Sequence, residues 1–172
     1  IFSGSGLWSE SNKWSTGALP TNTDSVFITN ILNKTVAIDA AATNSLTISN
    51  LDVTMANGTA TLTNLLLLSN VGTNTPLRIL NNATIGRAGQ LTITNSAVVI
   101  GSDTPYVPVT NNNFIVDGNS AHPAIVRLDD GILNASKVVS RVGNTESGQL
   151  IINNGTFFGR NLVVGYKTGS GT

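Results

Sequence analysis

The chain has no cysteine, and it has few histidine, aromatic and charged residues. Its 172 residues include one histidine, His122, and its charged fraction is 10%, against a usual value of about 25%. The absence of cysteine excludes a disulfide framework, a thiol nucleophile and a cysteine-ligated zinc site. A catalytic triad that needs an imidazole would have to use His122. We expect no cofactor and no resident metal ion.

Charge of either sign is also scarce. Nine Lys and Arg residues balance nine Asp and Glu residues, so the formal net charge is +0. Nucleic-acid grooves and anionic membrane surfaces both require an excess of basic residues, so we expect neither as a partner. The longest purely apolar run, Leu65 to Leu68, is far shorter than the ~20 residues of a membrane helix. We therefore expect no membrane insertion by this segment, and no signal peptide at its start.

Small neutral residues supply most of the polarity. Asn and Thr occur 22 times each, Gly 17 times and Ser 16 times. These residues are poor in helix interiors, and no window shows apolar residues at helical spacing over three turns. Short alternating runs instead recur along the whole chain, which predicts many short strands. The runs are Val26-Phe27-Ile28, Val36-Ala37-Ile38, Leu46-Thr47-Ile48, Val53-Thr54-Met55, Leu77-Arg78-Ile79, Leu91-Thr92-Ile93, Val126-Arg127-Leu128, Lys137-Val138-Val139, Leu150-Ile151-Ile152 and Leu162-Val163-Val164.

The ends of these runs are alike, because an apolar and a polar residue are followed by Asn or Asp. Both residue types tolerate the left-handed backbone region and suit tight corners. Stacked at successive corners, the Asn amides would form a hydrogen-bonded ladder that stabilises the fold. The predicted corner positions are Asn50, Asn64, Asn82, Asn95, Asp130 and Asn154.

A degenerate internal repeat accompanies the corners. Residues 89–95, GQLTITN, match residues 148–154, GQLIINN, and a second match is displaced by 24 residues. A repeat of about 20–25 residues with three short strands per unit is typical of a β-solenoid. We therefore predict an all-β, single-stranded parallel β-helix with roughly seven coils, about 35 Å long. An antiparallel sandwich or jelly roll shares the short strands but does not predict the repeated corners.

The first 30 residues carry a further pattern. Gly6-Leu7-Trp8 is followed by Asn12-Lys13-Trp14, then by Pro20 and by Asp24-Ser25-Val26. This pattern resembles the opening of bacterial autotransporter-associated β-strand repeat proteins. The resemblance implies a right-handed parallel β-helix in an exported, extracellular or cell-surface bacterial protein. We expect residues 1–30 to form a cap and the first strand, with Trp8, Trp14, Pro20 and Asp24 as the structural cap, and residues 31–172 to form the coils.

The end of the sequence departs from that pattern, which would continue beyond Gly171-Thr172 with another strand. The expectation is a fragment, a processed product, or a unit that another chain completes. An unfinished end exposes unpaired backbone groups. Self-association, end to end or as a homo-oligomer, is therefore one partner hypothesis.

Two groups of residues are candidates for chemistry. Residues 102–123 interrupt the repeat and are predicted to form a loop excursion, and loops often carry function. Tyr106 and His122 in this excursion are the candidate ligand surface, with cell-surface glycans as the candidate partner. Asp129 and Asp130, with nearby Arg127, have the residue types of a β-helix lyase. Alternation nevertheless directs the two carboxylates to opposite sides, so one coil cannot supply enough oxygen ligands for calcium.

The sequence thus favours a non-enzymatic extracellular β-solenoid, a stalk or adhesin-like segment with no catalytic residues. Two alternatives stay open at this point. One is a filament subunit joined end to end, because head-to-tail contacts that do not close produce fibres. The other is a carbohydrate-binding or polysaccharide-cleaving β-helix.

Overall fold

The fold is all-β, as predicted. A computed structural model describes residues 1–42, 46–55, 63–102, 112–165 and 170–172. No helix in these ranges is long and apolar enough to cross a membrane. Besides a 3₁₀ helix at Ser11–Lys13, the elements are β1 (Gly6–Leu7), β2 (Ser25–Asn30), β3 (Lys34–Ile38), β4 (Thr47–Ile48), β5 (Asn50–Met55), β6 (Asn64–Ile79), β7 (Ala83–Ile85), β8 (Gly89–Ile100), β9 (Asn113–Val116), β10 (Ala124–Asp129), β11 (Ile132–Val142), β12 (Ser147–Asn153), β13 (Thr156–Val164) and β14 (Ser170–Gly171).

These strands form one strongly curled parallel sheet, in which pairing follows three rows. In row 1, the strands β1, β3, β6, β8, β10, β12 and β14 pair in succession. Row 2 runs through β2, β5, β7, β9, β11 and β13. Row 3 contains β4 and parts of β6, β8, β11 and β13. The four long strands therefore bend from one row into another.

Apolar side chains at matching positions of successive strands stack inside the curl. In row 1, Val36 pairs with Leu66, Leu66 with Leu91 and Leu91 with Val126, and all four are fully buried. The outward residues between them are mostly intermediate in exposure. Side chains from all three rows belong to one hydrophobic core cluster. Alternation along each strand produces this core, because successive side chains point to opposite faces.

The number of residues between paired positions varies more than the predicted 20–25 and reaches 35. Leu77 pairs with Val98, 21 residues further on, whereas Leu91 pairs with Val126, 35 residues further on. The second interval contains residues 103–111, which lie outside the described ranges. Extra chain between strands lengthens an interval without changing the register of the strands that it joins, because each pair is aligned by its own apolar side chains.

The predicted excursion at 102–123 contains a strand. Asn113–Val116 forms β9, which pairs in parallel with β7 and β11. Phe114 and Val116 point inward and are fully buried, at positions that match Ala83 and Ile85 of β7. This part of the segment therefore belongs to the sheet. Its alternating pattern is short and follows three consecutive asparagines, so it resembled a loop.

Candidate functional site

Three aromatic side chains pack at the start of the chain. Phe2 and Trp8 are fully buried and Trp14 is 5% exposed. The ring centroids of Phe2 and Trp14 are 4.8 Å apart and those of Trp8 and Trp14 are 4.9 Å apart, both pairs edge to face. The Trp14 indole N–H donates to the Trp8 carbonyl oxygen at 2.9 Å. Buried together in this way, neither tryptophan presents a face for stacking against a sugar.

Phe2 was not among the predicted cap residues, although it forms an antiparallel bridge with Trp14. Its neighbours Ile1 and Ser3 are exposed, and no motif in the sequence marks Phe2 as part of the cap. Pro20 is buried, and with Trp14 and Asp24 it lines a small cavity of about 40 Å³. The Asp24 carboxylate accepts hydrogen bonds from the Thr21 hydroxyl at 2.7 Å and the Thr21 backbone N–H at 2.8 Å. These bonds hold the pKa of Asp24 below its usual value.

One corner of the curled sheet carries a column of left-handed residues. Asn70, Asn95, Asp130 and Asn154 follow the row 1 strands at matching positions, with φ between 44° and 59°. The Asn95 amide donates to the Asn70 side-chain oxygen at 3.3 Å, and the Asn154 amide donates to the Asp130 carboxylate at 2.6 Å. Asn70 was missed by sequence reasoning. Its context, Leu68-Ser69-Asn70, nevertheless fits the apolar–polar–Asn pattern of the other corners.

Asn50 and Asn82 lie at a different corner, where they form a ladder of their own. The Asn82 backbone N–H and side-chain amide donate to the Asn50 side-chain oxygen at 3.1 Å and 3.3 Å. The Asn113 backbone N–H donates to the Asn82 side-chain oxygen at 2.9 Å, and Arg141 donates to the Asn113 side-chain oxygen. The single asparagine ladder predicted from sequence is therefore divided between two corners. Asn50 and Asn82 lie where row 2 strands begin, whereas Asn95 lies where the row 1 part of β8 ends.

Asn64 belongs to neither ladder. It is fully buried, and its amide donates to the carbonyl oxygens of Thr54 at 2.9 Å and Asn30 at 3.2 Å. Its register partner on β3 is Lys34, which is 3% exposed and donates to the carbonyl oxygens of Thr29, at 2.8 Å, and Phe2. Burial lowers the pKa of the Lys34 ammonium group. These two buried side chains connect the first residues of β3 and β6, in row 1, to the last residues of β2 and β5, in row 2.

The acidic cluster near β10 is occupied by internal contacts. Arg127 forms an ion pair with Asp129 at 2.7 Å, and the Asn153 amide donates to the other Asp129 oxygen at 2.8 Å. The Arg127 hydrogen bond is the main cause that holds the pKa of Asp129 below its usual value. Asp130 accepts from Asn154 at the neighbouring corner. In the part of the chain that the structure describes, no three His, Asp or Glu side chains are grouped closely enough to hold a metal ion.

His122 lines a cavity of about 190 Å³ at the start of the row 1 strands β6, β8 and β10. Thr63 and Gln90 contribute the other polar side chains, and Pro123 and Ile125 contribute part of the apolar wall. The second predicted ligand residue, Tyr106, lies outside the described residues. The cavity was not predictable from the sequence, because its walls come from strands that are far apart along the chain.

The backbone of His122 is fixed by a turn. Its N–H donates to the Asn119 side-chain oxygen at 2.7 Å, and its carbonyl oxygen accepts from the Ala88 N–H at 3.2 Å. The second bond connects the turn to the start of β8, so the backbone of His122 is held against the neighbouring strand. Its Nδ1 atom is buried and has no hydrogen-bond partner among the described residues.

Compared with known proteins, the chain matches no family model, no curated protein and no solved structure.

Proposed function

We propose that the curled sheet is a single-stranded parallel β-helix with three strands per coil. The order in which the chain visits the rows supports this. From β2 onward the chain passes from row 2 to row 1, then to row 3, and then back to row 2, and it repeats this order to β14. A right-handed winding is part of the proposal, because connections between parallel strands of one sheet favour that hand.

We further propose that this β-helix is a non-enzymatic structural segment of an exported bacterial surface protein, a stalk or adhesin-like element. The observation that carries the proposal is the unbroken succession of seven paired strands in row 1. At about 4.8 Å per strand, seven strands extend over about 35 Å. Each strand is joined to its neighbours by main-chain bonds and stacked apolar side chains, which gives a stiff rod suited to projecting what it carries.

The outer surface is consistent with a role outside the cell. Its polarity comes mostly from Asn, Thr and Ser, and the chain has no cysteine that could be oxidised. The spacing of Trp8, Trp14, Pro20 and Asp24 resembles the opening of autotransporter-associated β-strand repeat proteins. That resemblance supports export to the cell surface and membership of this family, both of which are part of the proposal.

Two measurements test the proposal. Nuclear Overhauser contacts between backbone protons should connect Leu91 with Leu66 and with Val126 in parallel register, and antiparallel contacts would contradict the β-helix. Antibodies against the chain should label intact cells of the source organism as strongly as permeabilised cells. Labelling that requires permeabilisation would contradict the surface role while leaving the fold unaffected.

End-to-end association is a second candidate function, and one observation favours it. The side chains of Ile152, Phe158, Leu162 and Val164 on β12 and β13 are between 44% and 52% exposed. Among the described residues β13 pairs with β11 along one edge, which leaves its other edge available to a further strand. Light scattering across a concentration series should then show particles whose mass and length increase with protein concentration. Monodisperse rods at all concentrations would exclude this function.

A further inference from the structure

We propose that the cavity lined by Thr63, Gln90 and His122 is a binding site for one ring of a neutral sugar. We refer to it as the His122 cavity. The inference goes beyond the structural role proposed above and does not depend on it, because the cavity exists whether or not the rod is displayed on a cell. It assigns a ligand class to a site on the outside of the curled sheet.

The chemistry of the lining indicates a neutral ligand. None of the side chains that line the cavity in the described part of the chain is acidic, and none is lysine or arginine. A charged ligand would leave water without an opposite charge to compensate it, which is costly. The polar groups are instead a hydroxyl, a carboxamide and an imidazole. These are suited to the hydroxyl groups of a sugar, since each can donate or accept.

Gln90 retains free hydrogen-bonding capacity toward such a ligand. Its side-chain amide donates to the Thr92 hydroxyl at 3.1 Å. That contact uses one of the two N–H donors, and it orients the carboxamide without occupying the carbonyl oxygen. The Thr92 bond is on the same strand, so β8 fixes the side chain before any ligand arrives.

The imidazole of His122 also has unused hydrogen-bonding capacity. Nδ1 is buried and no described group accepts a hydrogen bond from it. A buried N–H without an acceptor costs more than an unused acceptor lone pair, so the neutral ring carries its proton on Nε2. In that form the ring has an N–H donor, and the turn that begins at Asn119 holds the His122 backbone in place.

The size and the apolar wall agree with a single ring. About 190 Å³ is smaller than the roughly 300–1,000 Å³ of common small-molecule pockets, which limits the ligand to a fragment of that size. Ala88, Pro123 and Ile125 form an apolar surface beside the polar groups. A pyranose has the same division, with C–H groups on its faces and hydroxyls around its edge.

Three successive strands of row 1 build the site. Thr63 immediately precedes β6, Gln90 lies in β8 and Ile125 lies in β10, and these strands are joined by continuous parallel pairing. The spacing of the lining groups is therefore set by the sheet and not by a single loop. A site that is preformed in this way loses little conformational entropy on binding.

The test uses saturation-transfer NMR with the methyl glycosides of glucose, galactose, mannose and N-acetylglucosamine, each at on the order of 10 mM. At least one of the four should give a signal. Gln90→Leu should weaken that binding by about tenfold or more, because the lost hydrogen bond leaves ligand groups unpaired. Gln149→Leu is the matched control. Gln149 occupies the same outward row as Gln90, two strands further on, and does not line the cavity.

A second pair of variants fills the cavity instead of removing a polar group. Ala121 is exposed and lines the cavity, whereas the adjacent Ser120 is exposed and does not. Ala121→Trp should abolish the signal and Ser120→Trp should leave it unchanged, with circular dichroism confirming that both variants fold. Failure of all four glycosides to bind would overturn the proposal. So would equal losses in the two glutamine variants, or preferential binding of methyl glucuronide, a charged sugar.

Discussion

The hydroxyl of Ser140 lies inside an otherwise apolar stack. Ser140 is fully buried on β11 between its register partners Phe114 and Leu162, and its Oγ has no hydrogen-bond partner among the described residues. Ser96 is equally buried, but its hydroxyl donates to the Thr94 carbonyl oxygen at 2.8 Å and accepts from the Val71 N–H at 3.1 Å. A buried serine hydroxyl is therefore expected to destabilise the fold at position 140 and to stabilise it at position 96.

Replacing each serine by alanine should change the free energy of unfolding in opposite directions. Ser140→Ala removes an unsatisfied polar group and should raise the free energy of unfolding by about 1 kcal/mol. Ser96→Ala removes two satisfied bonds and should lower it by about 1 kcal/mol or more. Urea denaturation of both variants measures the difference. Destabilisation by Ser140→Ala would mean that the hydroxyl has a partner after all.

Lys34 makes stability depend on pH in the alkaline range. Its pKa in the folded chain lies below the ordinary value of 10.5, because burial disfavours the ammonium form. Between the two values the unfolded chain binds the proton and the folded chain does not, so stability rises with pH there. Below the folded pKa, the cost of burying the charge is fully present.

Lys34→Met removes this titration and serves as the comparison. As the pH rises from neutral toward the ordinary lysine pKa of 10.5, the urea midpoint of the unchanged chain should rise relative to that of Lys34→Met. All other titrating groups are common to both proteins and cancel in the difference. A difference that stays constant over this range, or that narrows, would contradict the assignment.

At the scale of the elements, hydrogen bonds between side chains of successive strands supplement the main-chain pairing. The ladder from Asn50 through Asn82 to Asn113 connects three strands of row 2. At the next strand the matching position is Val139, and beyond it is Asn161. Val139 on β11 interrupts the asparagine series. Arg141, on the same strand, donates a hydrogen bond to the Asn113 side-chain oxygen.

The interruption provides a matched pair for testing the ladder. Asn82→Ala removes one bond in each direction and should lower the free energy of unfolding by about 2 kcal/mol. Asn161→Ala changes the same residue type in the same row at an exposed position, and should change it by no more than about 0.5 kcal/mol. Thermal denaturation of both variants measures the two effects. Equal effects would show that the ladder adds nothing beyond strand propensity.

At the scale of the whole molecule, few charged side chains are available to stabilise the fold. Charged residues form 10% of the chain and balance to +0. The Arg127–Asp129 ion pair is partly exposed, with 43% and 31% of the two side chains accessible. Exposed pairs of this kind contribute little and are screened by salt.

Stability should accordingly respond weakly to ionic strength. Raising NaCl from low salt to about 0.5 M should shift the melting temperature by less than about 2 °C, well below the effect of Asn82→Ala. Differential scanning calorimetry measures both. A fall in melting temperature larger than this would show that ion pairs contribute substantially to stability.

Local pattern alone predicted much of the fold. The ten alternating runs all contribute residues to strands, because alternation is a property of each strand by itself. The matching segments 89–95 and 148–154 lie in row 1, the first on β8 and the second on β12 and the corner that follows it, and both strands pair with β10. Asn95, Asp130 and Asn154 adopt positive φ, which the corner pattern favours, whereas the other predicted corner residues, Asn50, Asn64 and Asn82, do not.

The sequence by itself thus determined the strands, the inward and outward faces and several corners, because these depend on neighbours along the chain. Only the tertiary structure decided which corners share a ladder, how many residues separate paired strands, and that β9 belongs to the sheet. It also decided that Thr63, Gln90 and His122 meet at one cavity. These features depend on register between strands 21 to 35 residues apart, and no local pattern encodes the variable length of chain between them.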